Sequence, residues 1–84
     1  MSAEIERART VKAAHEKQLL AKANVVGVGV GLRRRQGEPT DEVCIVVSVR
    51  KKVRREQLSP VDRIPAELDG VPVDVEETGP LRAF

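Results

Sequence analysis

One stretch of the sequence decides the fold: Asn24–Leu32, which reads NVVGVGVGL. Hydrophobic residues and glycines alternate there with a period of two, which is typical of a β-strand. Because glycine has no side chain, one face of this strand is almost bare, and a bare face lets a helix or another backbone approach closely. No charged residue precedes Arg33 in this strand. We therefore predict that residues 25–34 form the central strand of a sheet and that the glycine face contacts a helix.

The segment before this strand has the periodicity of an amphipathic helix. Its apolar stripe has spacings of three and four residues and consists of Ile5, Ala8, Val11, His15 and Leu19. Ser2 is a suitable N-cap, and Asn24 readily adopts the left-handed conformation that ends a helix. We predict a helix over residues 2–23.

A hairpin is predicted after the first strand. Gly37 and Pro39 mark residues 36–41 as a loop. Residues 42–50 alternate again and form the second strand, and a loop of this length favours antiparallel pairing with the first.

The connection to a third strand contains a short helix. Ser59-Pro60-Val61-Asp62 combines an N-cap, a proline at the first helical position and an acidic residue three positions after the cap. Asp69-Gly70 indicates a turn, and the alternation of residues 71–75 predicts the third strand. Pro72 lacks a backbone donor and therefore favours a sheet edge.

Together these elements predict an α+β fold. An N-terminal helix packs on a three-stranded antiparallel sheet of order 2-1-3, with a short helix between strands 2 and 3 and a right-handed crossover. Residues 1–77 form a single domain and residues 78–84 a C-terminal tail. The tail either frays or docks Leu81 and Phe84 on a partner.

Composition narrows the classes of function. The 84 residues include 15 basic and 13 acidic side chains, so the net charge of +2 does not by itself favour nucleic acid. Cys44 is the one cysteine, which precludes an internal disulfide and is predicted to be an inert core thiol. No apolar run approaches the length of a membrane span or resembles a signal peptide, so we expect a cytoplasmic protein that does not bind membranes.

The residues of common catalytic sites are not assembled in this sequence. The pattern G-x-G-x-G lies within a strand, whereas a dinucleotide fingerprint opens a helix. A Ser-His-Asp site would need His15 near Ser48, but His15 falls on the apolar stripe of a helix. One histidine and one cysteine do not supply a metal site. We expect no catalytic, cofactor-binding or metal-binding residues, and no enzyme activity.

Two basic clusters remain as candidates for binding. Residues 33–35 close the first strand, where nearby acidic residues partly neutralise them, and the second cluster closes the second strand. The second is the better candidate for a phosphate backbone or an acidic partner. Its residues are Arg50, Lys51, Lys52, Arg54 and Arg55.

Three stretches together resemble a known family. They are Asn24–Gly29 (NVVGVG), Glu42–Lys52 (EVCIVVSVRKK) and Asp62–Val75 (DRIPAELDGVPVDV). This arrangement is similar to the N-terminal segment that precedes the catalytic domain of bacterial trypsin-like serine peptidases. The resemblance implies an accessory domain that packs on, positions or regulates a peptidase domain. No position matches a peptidase triad, so no catalytic residue is carried over.

The sequence therefore predicts a non-catalytic interaction domain that self-associates. The 2-1-3 order would leave the second strand and its aliphatic side chains at an edge, where strand pairing or helix packing across a dimer or larger oligomer would cover them. Those side chains are Val43, Ile45, Val47 and Val49. The alternative is a small basic module that binds nucleic acid through the cluster of residues 50–55.

Overall fold

The computed structural model describes residues 3–78. Its elements, in chain order, are α1 (Ala3–Leu20), β1 (Val25–Arg35), β2 (Glu38–Val49), β3 (Glu67–Leu68) and β4 (Val71–Glu77). Two short 3₁₀ turns, Arg55–Gln57 and Pro60–Asp62, lie in the connection from β2 to β3. The predicted N-cap Ser2 and the tail residues 79–84, with Leu81 and Phe84, lie outside the described residues.

The N-terminal helix is confirmed. Helix α1 buries Ala8, Val11 and Leu19, which belong to the predicted stripe. It ends at Leu20 rather than at residue 23, and Asn24 follows with a φ of 73°. The left-handed conformation is therefore present at Asn24, but it lies beyond the helix end, in a turn that the Val25 N–H closes on the Lys22 carbonyl oxygen at 3.4 Å.

The first hairpin is confirmed, but its loop is shorter than predicted. Only Gln36 and Gly37 separate the strands, with φ values of 54° and 83°, as a type I′ turn requires. Pairing continues to Arg35 opposite Glu38. The Thr40 hydroxyl also donates to the Arg33 carbonyl oxygen at 2.7 Å, so residues 38–41, which were predicted to lie in the loop, extend the hairpin instead.

The predicted strand order 2-1-3 and the all-antiparallel sheet are wrong. The order is β1-β2-β4-β3, in which β2 and β4 run parallel and the other neighbours run antiparallel. Parallel neighbours need a crossover of a dozen or more residues, and residues 50–70 provide that length. Strand β2 has side chains to bury on both faces, whereas β1 has them on one, so β2 takes the inner position.

This order also corrects the predicted self-association edge. Ile45, Val47 and Val49 of β2 are buried in the core, and Val43 is half-buried against it. Because β2 has a partner strand on each side, these four side chains do not form an exposed edge.

The glycine face does not contact the helix, which corrects a further prediction. Val28 lies opposite Val47 and Val30 opposite Ile45, and this valine face packs in the core with α1. An added Cβ on Gly29 would meet no atom within 4 Å. Burial of apolar area favours the valine face for helix packing, because the glycines offer no side-chain surface to bury.

The third predicted strand corresponds to β4, and the turn before it is confirmed. Asp69 and Gly70 have φ values of 48° and 84° and join β3 to β4. The edge position predicted from Pro72 is wrong, since β4 lies between β2 and β3. The ladder with β2 begins at Val73, one residue after the proline, so no donor is needed at that position.

Candidate interaction surfaces

Strand β1 is the outermost long strand of the sheet. No strand within residues 3–78 pairs with its outer edge, so a row of backbone N–H and C=O groups faces away from the sheet. Val26 lies at a β-bulge and is 43% exposed, and Leu32 is 49% exposed. The edge is therefore uncharged and apolar from Val25 to Leu32.

Gly31, at the end of the glycine face of β1, lines a cleft. The end of the β1–β2 hairpin curls over this face, and the Arg34 backbone N–H donates to Asp74 Oδ2 at 3.2 Å. The cleft has a volume of about 670 Å³. Side chains of both charge signs line it, among them Arg34, Lys52, Asp74, Glu76 and Glu77.

Cys44 is buried on β2, opposite Gly31 of β1. Burial raises the pKa of its thiol, and the nearby Asp74 carboxylate raises that pKa further. Both effects disfavour the thiolate, which is the reactive form of cysteine. Its burial agrees with the core position predicted from the sequence.

The basic cluster after β2 is exposed, as a charged rim requires. Arg50, Lys51, Lys52 and Arg54 are all exposed, and no ion pair between described residues involves their side chains. The side chain of Arg55 lies outside what the structure describes. At the opposite end of the hairpin, Arg33 forms an ion pair with Glu42 at 3.1 Å, so the first cluster is partly neutralised.

The backbone beneath the exposed basic side chains is held in place. The Asn24 backbone oxygen accepts from the Arg50 N–H at 2.9 Å, and Asn24 Oδ1 accepts from the Lys51 N–H at 3.1 Å. The Asn24 side-chain amide also donates to the Lys51 carbonyl oxygen. Glu77 Oε1 accepts from the Lys52 N–H at 2.6 Å.

An apolar pocket that the sequence did not reveal lies beside this cluster. Its volume is about 220 Å³, and Lys51 and Lys52 lie at its border. Val53 and Leu58 reach it from a segment that reads as a charged connection. The isolated apolar residues Val53 and Leu58, which interrupt this charged segment, are the sequence signal for the pocket. The apolar lining consists of Ala23, Val49, Val53, Leu58, Ile64 and Val75.

His15 and Ser48 are not brought together. His15 Nε2 lies 3.0 Å from Asp69 Oδ2, and Arg7 Nη2 donates to the Asp69 carbonyl oxygen at 2.7 Å. These contacts join α1 to the β3–β4 turn. Ser48 lies opposite Gly27, on the other face of the sheet. The histidine therefore has a structural partner and no nucleophile beside it.

Two kinds of feature are absent from residues 3–78. No three His, Cys, Asp or Glu side chains in that range lie together as metal ligands would. Within the same residues, α1 is not apolar enough to cross a bilayer.

The fold and its surfaces define a small α+β domain whose exposed features are an apolar edge strand and a basic strand end. Residues 6–76 match the model of the NARROW LEAF 1 N-terminal domain, so the chain belongs to this family. The rice (Oryza sativa subsp. japonica) Protein NARROW LEAF 1 is 39% identical over 61 residues, which is 73% of this chain. The chain spans only 10% of the length of that relative.

These comparisons correct the resemblance to bacterial trypsin-like serine peptidases. The bacterial, peptidase-associated assignment is wrong, because the family found is the NARROW LEAF 1 N-terminal domain and the similar protein is from rice. Most of the residues that carry the resemblance lie in strands or in the Asp69-Gly70 turn. Such positions specify how a domain folds, and they do not specify which protein it belongs to.

Proposed function

We propose that this domain is a non-catalytic interaction domain that associates with a second copy of itself through β1. The observation that supports this proposal is the free edge of β1, which is uncharged from Val25 to Leu32 and flanked by two exposed apolar side chains. Monomeric proteins usually protect such edges with charge, proline or a covering element. An edge without that protection is a template for pairing with another strand.

Antiparallel pairing of two β1 strands would bury the exposed apolar side chains of this edge. With Gly29 at the two-fold axis, Val26 of one copy lies opposite Leu32 of the other. The two exposed apolar side chains then cover each other on the same face, and the two glycine faces become continuous. A symmetric interface of this kind is the commonest form of self-association.

The charged residues at the ends of β1 do not drive this arrangement. Antiparallel pairing places the Arg33–Arg35 clusters of the two copies at opposite ends of the shared strand pair. At each end the arginines approach the start of the other copy's β1, where Asp62 accepts a hydrogen bond from the Ala23 N–H at 2.9 Å. Arg50 and Lys51, whose backbone N–H groups donate to Asn24, also lie at this end, so charge does not favour this register and the proposal rests on the apolar edge.

The same proposal holds that the domain has no catalytic activity of its own. Within residues 3–78 the one histidine pairs with Asp69, and the one cysteine is buried with a raised pKa. Neither is placed as an activated nucleophile or a general base would be.

Sedimentation equilibrium of the purified chain tests the proposal. We expect a concentration-dependent mass that approaches twice that of the chain. The double variant Val26→Lys/Leu32→Lys puts lysines directly opposite each other in the proposed register and should yield a monomer. Both positions are exposed in the single copy, so a circular dichroism spectrum like that of the wild type should show that the fold persists.

The matched control reverses one of the two charges. Val26→Lys/Leu32→Glu introduces the same number of charges but places lysine opposite glutamate, so it should dimerise more tightly than the double-lysine variant. A wild-type chain that stays monomeric at high concentration would exclude the proposal. Equal dissociation by both double variants would exclude this register.

A further inference from the structure

We infer that the pocket at the end of β2 binds an acidic peptide segment that carries an aliphatic side chain. This inference is argued without the free edge of β1 and does not depend on self-association. It rests on an apolar pocket and an unpaired basic border that lie side by side.

The size of the pocket suits a peptide side chain. Its volume of about 220 Å³ is below the roughly 300–1,000 Å³ of sites that hold whole small-molecule ligands. Valine, leucine and isoleucine make up half of the lining residues, and one of them, Val53, is 39% exposed. An inserted aliphatic side chain would remove this apolar surface from water.

The positive charge at the border of the pocket favours an acidic partner. Lys51 and Lys52 line the pocket, and Arg50 and Arg54 lie next to them in the sequence. Their side chains have no carboxylate partner among the described residues. Carboxylates that flank an inserted aliphatic residue would complement this border.

Asp62 lines the pocket and Glu77 contacts its border, and each accepts hydrogen bonds from groups other than the basic side chains. Asp62 Oδ1 accepts from the Ala23 N–H at 2.9 Å, and Asp62 Oδ2 accepts from the Ser59 hydroxyl at 2.8 Å. Glu77 Oε1 accepts from the Lys52 backbone N–H rather than from its ammonium group. The basic side chains therefore stay available to a ligand while the backbone beneath them is held in place.

Acidic peptide is favoured over nucleic acid by the neighbourhood of the cluster. A phosphate backbone would use the positive charges but has no group to place in an apolar pocket. Residues that stack on unpaired bases are aromatic, and none lies in residues 50–58.

Fluorescence anisotropy with defined probes tests the inference. The first probe is a labelled peptide of sequence EEELLEEE, and the second is EEEGGEEE, which keeps the charges and removes the aliphatic side chains. We expect the full chain to bind the first at least about fivefold more tightly than the second, since the pocket would gain nothing from glycine. A labelled DNA duplex is the third probe.

Two variants separate the pocket from the charges. Lys51→Gln/Lys52→Gln should weaken binding of EEELLEEE about tenfold, because two charge contacts are lost. Val53→Asn removes apolar lining without changing the charge and should weaken it about fivefold. The charge-matched control Arg9→Gln/Lys17→Gln lies on the exposed side of α1 and should leave binding unchanged.

Three outcomes of these measurements would contradict the inference. Equal affinity for the leucine and glycine peptides, or full retention of binding in Val53→Asn, would overturn the inference. Preferential binding of the duplex, with a steep decrease in affinity as salt is added, would assign the cluster to nucleic acid instead. Circular dichroism of each variant should match the wild type, because the substituted side chains are exposed.

Discussion

Strands β1 and β2 form one hairpin, yet they lie in opposite environments. Strand β2 has a hydrogen-bonded neighbour on each side, and its residues Ile45 and Val47 are fully buried. Strand β1 has a neighbour on one side, and its partners Val30 and Val28 are only half-buried. A valine in β2 therefore contributes mainly to folding, whereas β1 has a face and an edge available for contacts outside the domain.

The difference follows from what each strand carries on its two faces. Beyond Val43, Ile45, Val47 and Val49, strand β2 has Cys44 and Val46 on the other face. Strand β1 has glycine at the corresponding positions. A strand with side chains to bury on both faces gains most from the inner position of a sheet.

The largest expected effect tests this comparison with a single pair of residues. Val47 and Val28 are direct partners on the same face of the hairpin. Val47→Ala removes fully buried methyl groups and leaves a cavity, so we expect a loss of about 2–3 kcal/mol in the free energy of unfolding. Val28→Ala should cost about 1 kcal/mol, since the side chain is only half-buried. Urea denaturation of both variants measures the difference.

Equal losses at the two positions would contradict the assignment of β2 as the interior strand. A larger loss at Val28 would mean that β1 is covered in solution. In that case, repeating the measurement at several protein concentrations would reveal whether a second copy covers it.

The sequence is sufficient to predict the helix and the turns, but it is not sufficient to predict the strand order of the sheet. The helix stripe, the left-handed Asn24 and the Asp69-Gly70 turn each depend on neighbouring residues, and the structure confirms all three. Strand order depends on how the connection 50–70 crosses the sheet, and no local pattern records that direction. The lack of charge in β1 therefore predicts a central strand, and this prediction is wrong because β1 lies at the edge of the sheet.

The sequence likewise predicts only some features of the candidate surfaces. Exposure of the basic residues follows from their charge, because burial of unpaired charges is costly. The pocket beside them was not predictable, since it joins Ala23, Val53 and Ile64 from three separate segments. The free edge of β1 could be identified only once the strand order was known.

A smaller effect is expected on the glycine face of β1. An added Cβ on Gly29 would meet no atom within 4 Å, so Gly29→Ala should raise the free energy of unfolding by about 0.5–1 kcal/mol through lower backbone entropy of the unfolded chain. At Gly31 the added Cβ would lie 3.2 Å from Val46 Cγ2, and the gain should be smaller or absent. Thermal unfolding of the two variants at low protein concentration checks this order. A loss of stability in Gly29→Ala would mean that this face is already occupied.

The smallest effect concerns the start of β1, which relies on a side-chain hydrogen bond. The Ala23 N–H bonded to its carboxylate lowers the pKa of Asp62, and the Ser59 hydroxyl lowers that pKa further. A carboxyl group whose pKa is lower in the folded state stabilises the fold at pH values above its unfolded pKa. That stabilisation is lost as the pH falls through the folded pKa. Asp62→Asn, which does not titrate, should therefore melt slightly below the wild type at neutral pH, and the gap should close below about pH 4.

Melting temperatures of the wild type and Asp62→Asn across this range measure the effect. Ser59→Ala serves as the control, because it removes the second hydrogen bond while the carboxylate and its bond to the Ala23 N–H stay in place. Its gap to the wild type should also narrow with acid, but it should be smaller at neutral pH. A gap for Asp62→Asn that persists unchanged into acid would show that the negative charge does not contribute. The start of β1 would then depend on the contacts of Asn24 with residues 50–51, and the edge strand would be anchored by β2 alone.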